Sequence, residues 1–371
     1  MDYRFYLPVE IFFGKNKILH LNTLHIESPI LIVSDPVLKK VGLVDQIKQV
    51  LKPKDSIFNF CEVEPNPSCS TVNNGVRYAK ERKIKTVIGL GGGSAIDTAK
   101  AISCLIDTDG TLQEFLFNGK ILKGRTTQLI AIPTTSGTGS EVTNVGVYTD
   151  HERGQKKPLV TEYFWPDHAI LDPMMTLSMP PRVTASTSLD AFTHAIEAYW
   201  ADSSQPMSKL FSMEAMKLIM LNIEKTYVSP KDYEGREQLL YASLLAGISF
   251  AQTRTTILHA LSFPLTNEYG LEHGFACALA LPKIIKDNYD SDKPNMDILI
   301  RHLNYETVQQ FSNKIAEIMK NVNAPTTLSQ IGVKREDLER IAQITLSAPI
   351  SQLNPKKYQQ NELVNLLNQI Y

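Results

Sequence analysis

An excess of either charge is absent from this chain: 38 lysines and arginines face 39 aspartates and glutamates over 371 residues. Composition therefore gives no basic stripe for nucleic acid or an anionic membrane, and a small-molecule partner is the expectation. Long hydrophobic runs are absent too, although 43% of the residues are apolar. None approaches the roughly 18 residues that a spanning helix requires. The opening MDYRFYLPVEIFFG carries charges early and has no extended apolar stretch, unlike a secretory signal. Cysteine is scarce, and Cys61, Cys69, Cys104 and Cys277 show no C-x-x-C spacing. Reduced thiols are expected, not a disulfide framework. These exclusions point to a cytoplasmic protein, long enough for two domains of about 100–200 residues each.

What is present changes character along the chain. The first half alternates short apolar runs with helical spacing. SPILIVSD, DSIFNFCEV, KTVIGL, TQLIAIPTT and HAILDP read as strands. Residues 39–51, the segment NPSCSTVNNGVRYAKERK and AIDTAKAISCLI read as helices between them. Alternation of this kind predicts an α/β domain with a parallel sheet. Past Met179-Pro180-Pro181 the apolar residues recur at helical intervals, as in KLFSMEAMKLIMLNIEKT and REQLLYASLLAGISFAQ. An all-helical second domain is expected, with the boundary near residues 174–182.

The glycine turn in KTVIGLGGGSAIDTAKAI joins a strand to a helix. Gly91, Gly92 and Gly93 let the backbone approach a phosphate, and the helix start favours an anion. A tight turn that binds nothing is the competing reading, since Ser94 occupies the third glycine position of the dinucleotide fingerprint. Ser94 is expected to cap the helix, with Asp97 completing a capping-box-like pair. Asp35 ends an earlier strand, where a carboxylate either bonds a ribose hydroxyl or simply forms a turn with Pro36. A second polar loop, Thr134 to Ser140, also follows a strand.

Two residue pairs in the second half suggest metal chemistry. Asp190 and His194 stand at i and i+4, on one helical face. His259 and His273 follow, fourteen apart. Singly, each histidine reads as a structural one; the four together suit a single Fe(II) or Zn(II) ion. No cysteine falls among them, which argues against a sulfur-rich structural site. Glu197 is expected as a helix residue or a partner behind the ligands.

Together these segments resemble the iron-dependent (group III) alcohol dehydrogenase family over nearly the whole chain. GGGSAIDTAKAI is similar to its nucleotide loop and IPTTSGTGSEVT to its second loop. LDAFTHAIEAYW and HALSFPLTNEYGLEHG resemble its two metal segments, and NPKKYQQNELVNLLNQIY its closing segment. The resemblance implies a dinucleotide-binding α/β domain over residues 1–178 and an all-helical metal-binding domain over 179–371, with the active site in the cleft between. It implies Asp190, His194, His259 and His273 as the metal ligands through which catalysis runs. It implies NAD(H) contacts at Asp35, Asn66, Gly91, Gly92, Gly93, Ser94, Thr134, Thr135 and Thr138. A further contact falls on Lys156, with Lys157 as the fallback. Two departures stand out: Phe263 occupies a position where many relatives carry a histidine, and Ser188 replaces a usual glycine. TRTTILHALSFPLT also resembles the phosphonoacetaldehyde reductase subgroup. That implies Arg254, with Thr255 and Thr256, as contacts for an anionic head group, and Phe263 as a further substrate residue; the other reading of Arg254 is a helix-surface arginine with no ligand. The activity implied is alcohol–aldehyde interconversion. A dehydroquinate-synthase-like lyase and a non-catalytic metal- or nucleotide-binding protein are the alternatives. A homodimer is the expected assembly.

Overall fold

The computed structural model describes residues 2–51 and 56–371. The strands are β1 (Glu10–Phe13), β2 (Ile30–Val33), β3 (Ile57–Phe60), β4 (Thr86–Gly91), β5 (Gln128–Pro133), β6 (Val145–Asp150), β7 (Gln155–Val160) and β8 (His168–Leu171). Six of them form one sheet in the order β1-β8-β5-β4-β2-β3, every pairing parallel. The β6–β7 pair is a separate antiparallel hairpin. The expected parallel sheet is thus present. Asp55, at the start of the second strand segment read from the sequence, lies outside the described residues.

Both faces of the sheet are covered, which explains the unbroken apolar runs. Leu31, Val33, Val87 and Leu129 belong to one core cluster. Their neighbours Ile30, Ile32, Ile88 and Ile130 belong to another on the opposite face. Successive side chains of a strand alternate between faces, so each run feeds two cores. The helices of this part are α1 (Pro36–Lys40), α2 (Leu43–Val50), α3 (Cys69–Glu81), α4 (Gly93–Leu105) and α5 (Leu112–Phe117). The single helix expected over residues 39–51 is therefore two, interrupted at Val41–Gly42.

The rest is helical. The helices that carry site residues are α6 (Pro181–Trp200), α7 (Pro206–Val228), α8 (Tyr233–Thr253), α9 (Ile257–Tyr269) and α10 (His273–Ala278). Helix α6 is buried from Thr184 to Trp200 apart from Thr187, so it is a central helix surrounded by others and not an amphipathic surface one. Arg236 of α8 secures its start. This fully buried guanidinium donates to Met179 O, Thr184 Oγ1 and Pro230 O at 2.8–2.9 Å. Burial without a carboxylate lowers its pKa to about 10.

The chain clusters into two compact units. One is Leu7–Thr135 with Gly139–Ser178. The other is Met179–Tyr371 together with Ser136–Thr138 and the N-terminal segment ending at Tyr6. Tyr6 is tied to that unit by a reciprocal pair of bonds with Gln252, at 3.1 and 2.9 Å. Among the described residues no helix is long and apolar enough to cross a membrane.

Candidate active site

Helix α6 presents Asp190, His194 and Glu197 to the interior of the helical unit. All three are nearly or fully buried. Asp190 Oδ1 lies 3.6 Å from His259 Nε2, 3.8 Å from His273 Nε2 and 3.9 Å from His194 Nδ1. The four residues singled out from the sequence therefore come together around one carboxylate oxygen. His273 reaches Asp190 because Gly274 follows it. A Cβ on Gly274 would collide with the Ser186 carbonyl oxygen and come to 3.0 Å from Asp190 Cβ, so only glycine lets α10 sit this close to α6. His273 is also the open side of the cluster: its side chain is 34% exposed, against 4–8% for the other three.

Glu197 fixes the tautomer of His259. Its Oε1 accepts from Leu258 N and Thr256 Oγ1, both at 2.7 Å, and its Oε2 lies 2.6 Å from His259 Nδ1. A carboxylate can only accept there, so Nδ1 carries the proton and the Nε2 lone pair points toward Asp190. His259 Nε2 and Asp190 Oδ1 are both buried without a hydrogen-bond partner. The Glu197 cage extends to Asn354 and Asn288. Thr256 Oγ1 also accepts from Trp200 Nε1 and meets Asn354 Oδ1 at 3.3 Å. Asn354 and Asn288 exchange amide bonds at 2.8 and 3.0 Å.

The electrostatics favour ligand-ready forms of Asp190 and His194, whereas at His259 burial is outweighed by Cys277, Glu197 and Asp190, which raise it well above the ordinary imidazole value and leave a proton for a metal to displace. Burial alone would raise Asp190, but the His194, His273 and His259 imidazoles override it and hold the carboxyl well below the usual range. Burial lowers His194 to about 4, against the pull of Asp190. Burial would likewise raise Glu197, and its contacts with His259 and Thr256 bring it below the ordinary value. Three imidazoles and carboxylate oxygens converging on unpaired atoms fit a divalent cation.

Two findings were not anticipated. His194 turns its Nδ1 to Gly137 O at 3.3 Å and stacks between Phe250 and His259, with ring centroids 4.2 and 4.4 Å away. Cys277 joins the cluster: Asp190, His259, His273 and Cys277 each offer one ligand atom, all within 4.8 Å of one another. Its position four residues after His273 on a helix was the signal. Ser188, where the resemblance leads one to expect glycine, has a buried hydroxyl without a partner.

In the α/β unit the glycine turn gathers a second set. Strand β4 runs into Gly91, whose φ of +152° and tight approach to Ala95 exclude a side chain. Gly92 lies against the Thr135 side chain, and Thr134 N bonds Gly91 O at 3.0 Å. Asp35 caps α1 by accepting from Leu38 N at 2.9 Å, with its Oδ2 on the Gly91 side. Asn66 N donates to Ser94 Oγ at 3.2 Å, and Lys156 Nζ donates to Asn66 Oδ1 at 2.7 Å. Lys157 instead reaches Leu116 O. Thr138 falls with Ser136 and Gly137 in the helical unit.

The expected capping role of Ser94 and Asp97 is corrected. Helix α4 starts two residues earlier, at Gly93, with Gly92 as its N-cap and no side-chain cap. Ser94 Oγ is engaged by Asn66. Asp97 turns into the core, where it accepts from Ser140 Oγ at 2.5 Å and Val147 N at 2.9 Å. Its neighbour Lys100 is fully buried and donates to Ser140 Oγ, Thr143 Oγ1 and Val145 O. Buried Glu141 completes this group, its Oε1 unpaired. Burial raises Glu141 to about 7 and lowers Lys100 to about 8. These three groups brace the second loop from beneath.

Arg254 ends α8 with a φ of +72°, immediately before Thr255, Thr256 and helix α9. It is half-buried, and desolvation lowers its pKa. Among the described residues no carboxylate forms an ion pair with it. Phe263 stands one helical turn after His259 on α9, also half-buried.

Known proteins resemble this chain over nearly its whole length. Residues 8–173 match the family profile of iron-containing alcohol dehydrogenase. Residues 184–371 match the C-terminal profile of the Fe-containing alcohol dehydrogenase family. Sulfoacetaldehyde reductase of Bilophila wadsworthia is 33% identical over 348 residues, covering 91% of this chain and 90% of the relative. NADPH-dependent butanol dehydrogenase of Clostridium saccharobutylicum is 31% identical over 99% of this chain and 98% of its own. The crystal structure of sulfoacetaldehyde reductase from Bifidobacterium kashiwanohense in complex with NAD+ superposes with a TM-score of 0.95. It is 29% identical, over 100% of this chain and 99% of that one.

Proposed function

Since the chain belongs to the iron-containing alcohol dehydrogenase family, we propose that it interconverts a primary alcohol and an aldehyde with NAD(H). The proposal places a divalent metal, Fe(II) or alternatively Zn(II), on Asp190, His194, His259 and His273. One observation carries it: Asp190 Oδ1 and His259 Nε2, both buried and both unpaired, stand 3.6 Å apart. Buried polar atoms are costly to leave without partners, and a cation shared between them removes that cost. When bound, the metal polarises a carbonyl oxygen as a Lewis acid and the nicotinamide supplies or accepts hydride.

The chain's own residues hold and orient. Glu197 keeps the proton on His259 Nδ1, which leaves Nε2 free as a donor. Gly274 holds His273 against Asp190. Phe263 carries no titratable proton where many relatives have a histidine, so a substrate or cofactor hydroxyl exchanges its proton with water. The open backbone at Gly91–Gly93, with Ser94, Asn66, Lys156, Thr134 and Thr135 of the same unit, supports a pyrophosphate-bearing cofactor. The Asp35 carboxylate beside Gly91 favours NAD over NADP by opposing a 2′-phosphate.

The substrate class is an aldehyde with an anionic head group, a sulfonate or phosphonate. Arg254 supports this: a half-buried guanidinium with no ion-pair partner among the described residues, on the segment that leads into the His259 helix. Arginine's fork suits three-oxygen anions. A cytoplasmic homodimer completes the proposal, with light scattering as the test of assembly.

The test is anaerobic NADH oxidation by Fe(II)-loaded protein with sulfoacetaldehyde, phosphonoacetaldehyde and propanal, against a chelated control. Metal-dependent oxidation of NADH by the anionic aldehydes is the expected result. Substrate conversion without net NADH change would instead make the protein a lyase.

A further inference from the structure

The turn that joins α8 to α9 holds one residue in a strained conformation. Arg254 has φ +72° and ψ 176°, a region that glycine enters freely and a β-carbon resists. Its guanidinium is half-buried, and among the described residues no carboxylate pairs with it. Such strain persists only where the surroundings over-determine it. Here they do. Arg254 N donates to Phe250 O at 2.8 Å, Thr253 Oγ1 donates to Arg254 O at 3.0 Å, and Ser203 Oγ donates to Thr253 O at 2.6 Å. At the far end of the turn, Thr256 Oγ1 donates to Glu197 Oε1 and accepts from Trp200 Nε1. Glu197 and Trp200 stand in the last turn of α6, and Ser203 lies just past it. The helix that carries Asp190 and His194 therefore leads directly into the groups that fix both ends of the Arg254 turn.

On the reading that Arg254 meets an anionic head group, we propose that Thr253 and Ser203 are positioning residues, which hold the strained Arg254 backbone in place and so set the preference for anionic over neutral aldehydes. Two costs fall on this one residue, a strained backbone and a desolvated cation. Glycine at this position would remove both, and neither helps the fold. An anionic head group offsets the second. A backbone already fixed in its binding geometry lowers the ordering cost when that anion arrives. Thr253 is buried and bonds the Arg254 carbonyl, and Ser203 bonds the Thr253 carbonyl, so both act through Arg254.

The test uses the full-length, Fe(II)-loaded protein under anaerobic conditions, with two readouts. One is the ratio of kcat/KM for sulfoacetaldehyde to that for propanal. The other is calorimetric binding of ethanesulfonate, an inert anion, in the presence of NADH. Thr253→Val, which replaces the hydroxyl by a methyl, and Ser203→Ala should each lower the ratio and weaken ethanesulfonate roughly threefold to tenfold, the worth of one hydrogen bond. Thr253→Ser keeps the donor and should retain both. In an Arg254→Met background, Thr253→Val should lower the ratio no further, since the hydroxyl acts only through Arg254. The ratio is independent of the fraction of folded protein, and Ser203 is exposed, so instability does not mimic the result. Equal losses on both aldehydes, or a further drop in the double variant, overturn the inference. So does a wild-type ratio in both Thr253→Val and Ser203→Ala when Arg254→Met alone loses the preference; the anion contact then stands. If Arg254→Met leaves the ratio and ethanesulfonate binding unchanged, the anion contact falls and this inference with it.

Discussion

Replacing Glu197 with glutamine changes one oxygen to NH2 and nothing in size. Its effect follows from the hydrogen bonds. Glu197 accepts from three groups, Thr256 Oγ1, Leu258 N and His259 Nδ1. The backbone N–H of Leu258 cannot accept, so the glutamine oxygen must stay with it. The new amide then faces His259 Nδ1 and donates to it. The imidazole answers by moving its proton to Nε2, the atom 3.6 Å from Asp190 Oδ1, and loses its lone pair there. Turning the amide the other way sets NH2 against Leu258 N–H, donor against donor, in a fully buried place. The first arrangement costs the site its neutral nitrogen donor, and the second costs a buried donor-against-donor contact that loosens the support of His259. Carboxylates behind metal-bound histidines contribute about tenfold to a hundredfold in metal affinity. That is about 1.4–2.8 kcal/mol. The assay is Zn(II) competition against a chromophoric chelator, with circular dichroism to show that the helices persist. Glu197→Gln binding Zn(II) as tightly as wild type would refute the tautomer argument.

The other predictions are these. Arg254→Met should raise KM for sulfonate- or phosphonate-bearing aldehydes by roughly tenfold to a hundredfold, the worth of a charge-assisted bond, and leave propanal turnover unchanged; equal losses on both would remove Arg254 from substrate recognition. Gly274→Ala should cost about 1–3 kcal/mol by overpacking and weaken metal binding, because α10 must leave α6; unchanged melting and metal content would contradict it. Glu141→Gln should flatten the pH dependence of stability. The folded carboxyl is raised to about 7, so the native state holds a proton that the unfolded chain has lost. Stability therefore falls as pH rises from about 4.5 through 7, by about 3 kcal/mol at about 1.4 per unit. Urea titrations across that range should show the wild-type slope and a shallower one in the variant; parallel slopes would exclude Glu141 as its source.

Legibility in the sequence followed burial. Strands β2, β4, β5 and β8 lie inside the sheet and read as apolar runs because both faces are covered. Strand β1 is four residues long at an edge, and β7 is exposed at Gln155, Lys157, Pro158 and Val160, so neither leaves a pattern to read. Asp190, His194, His259 and His273 were legible as a constellation, and Glu197 as the group behind it. The Ser94 cap was misread because cap rules are local, whereas Asn66, 28 residues away, claims that hydroxyl. Cys277 went unseen because cysteine spacing was weighed only against other cysteines.

The amide pair between Asn288 and Asn354 sets an order of assembly during synthesis. Asn354 meets Thr256, and Thr256 holds Glu197, so the outer support of the carboxylate cage is complete only once Asn354 has left the ribosome. Roughly 160 residues separate His194 from Asn354, about 8–32 s of translation at roughly 5–20 residues per second. For that interval a nascent chain can complete its sheet while its histidines wait. Firm metal retention is then expected only in a chain that includes Asn354, and one cut short before it should be recognisable by the metal it fails to keep.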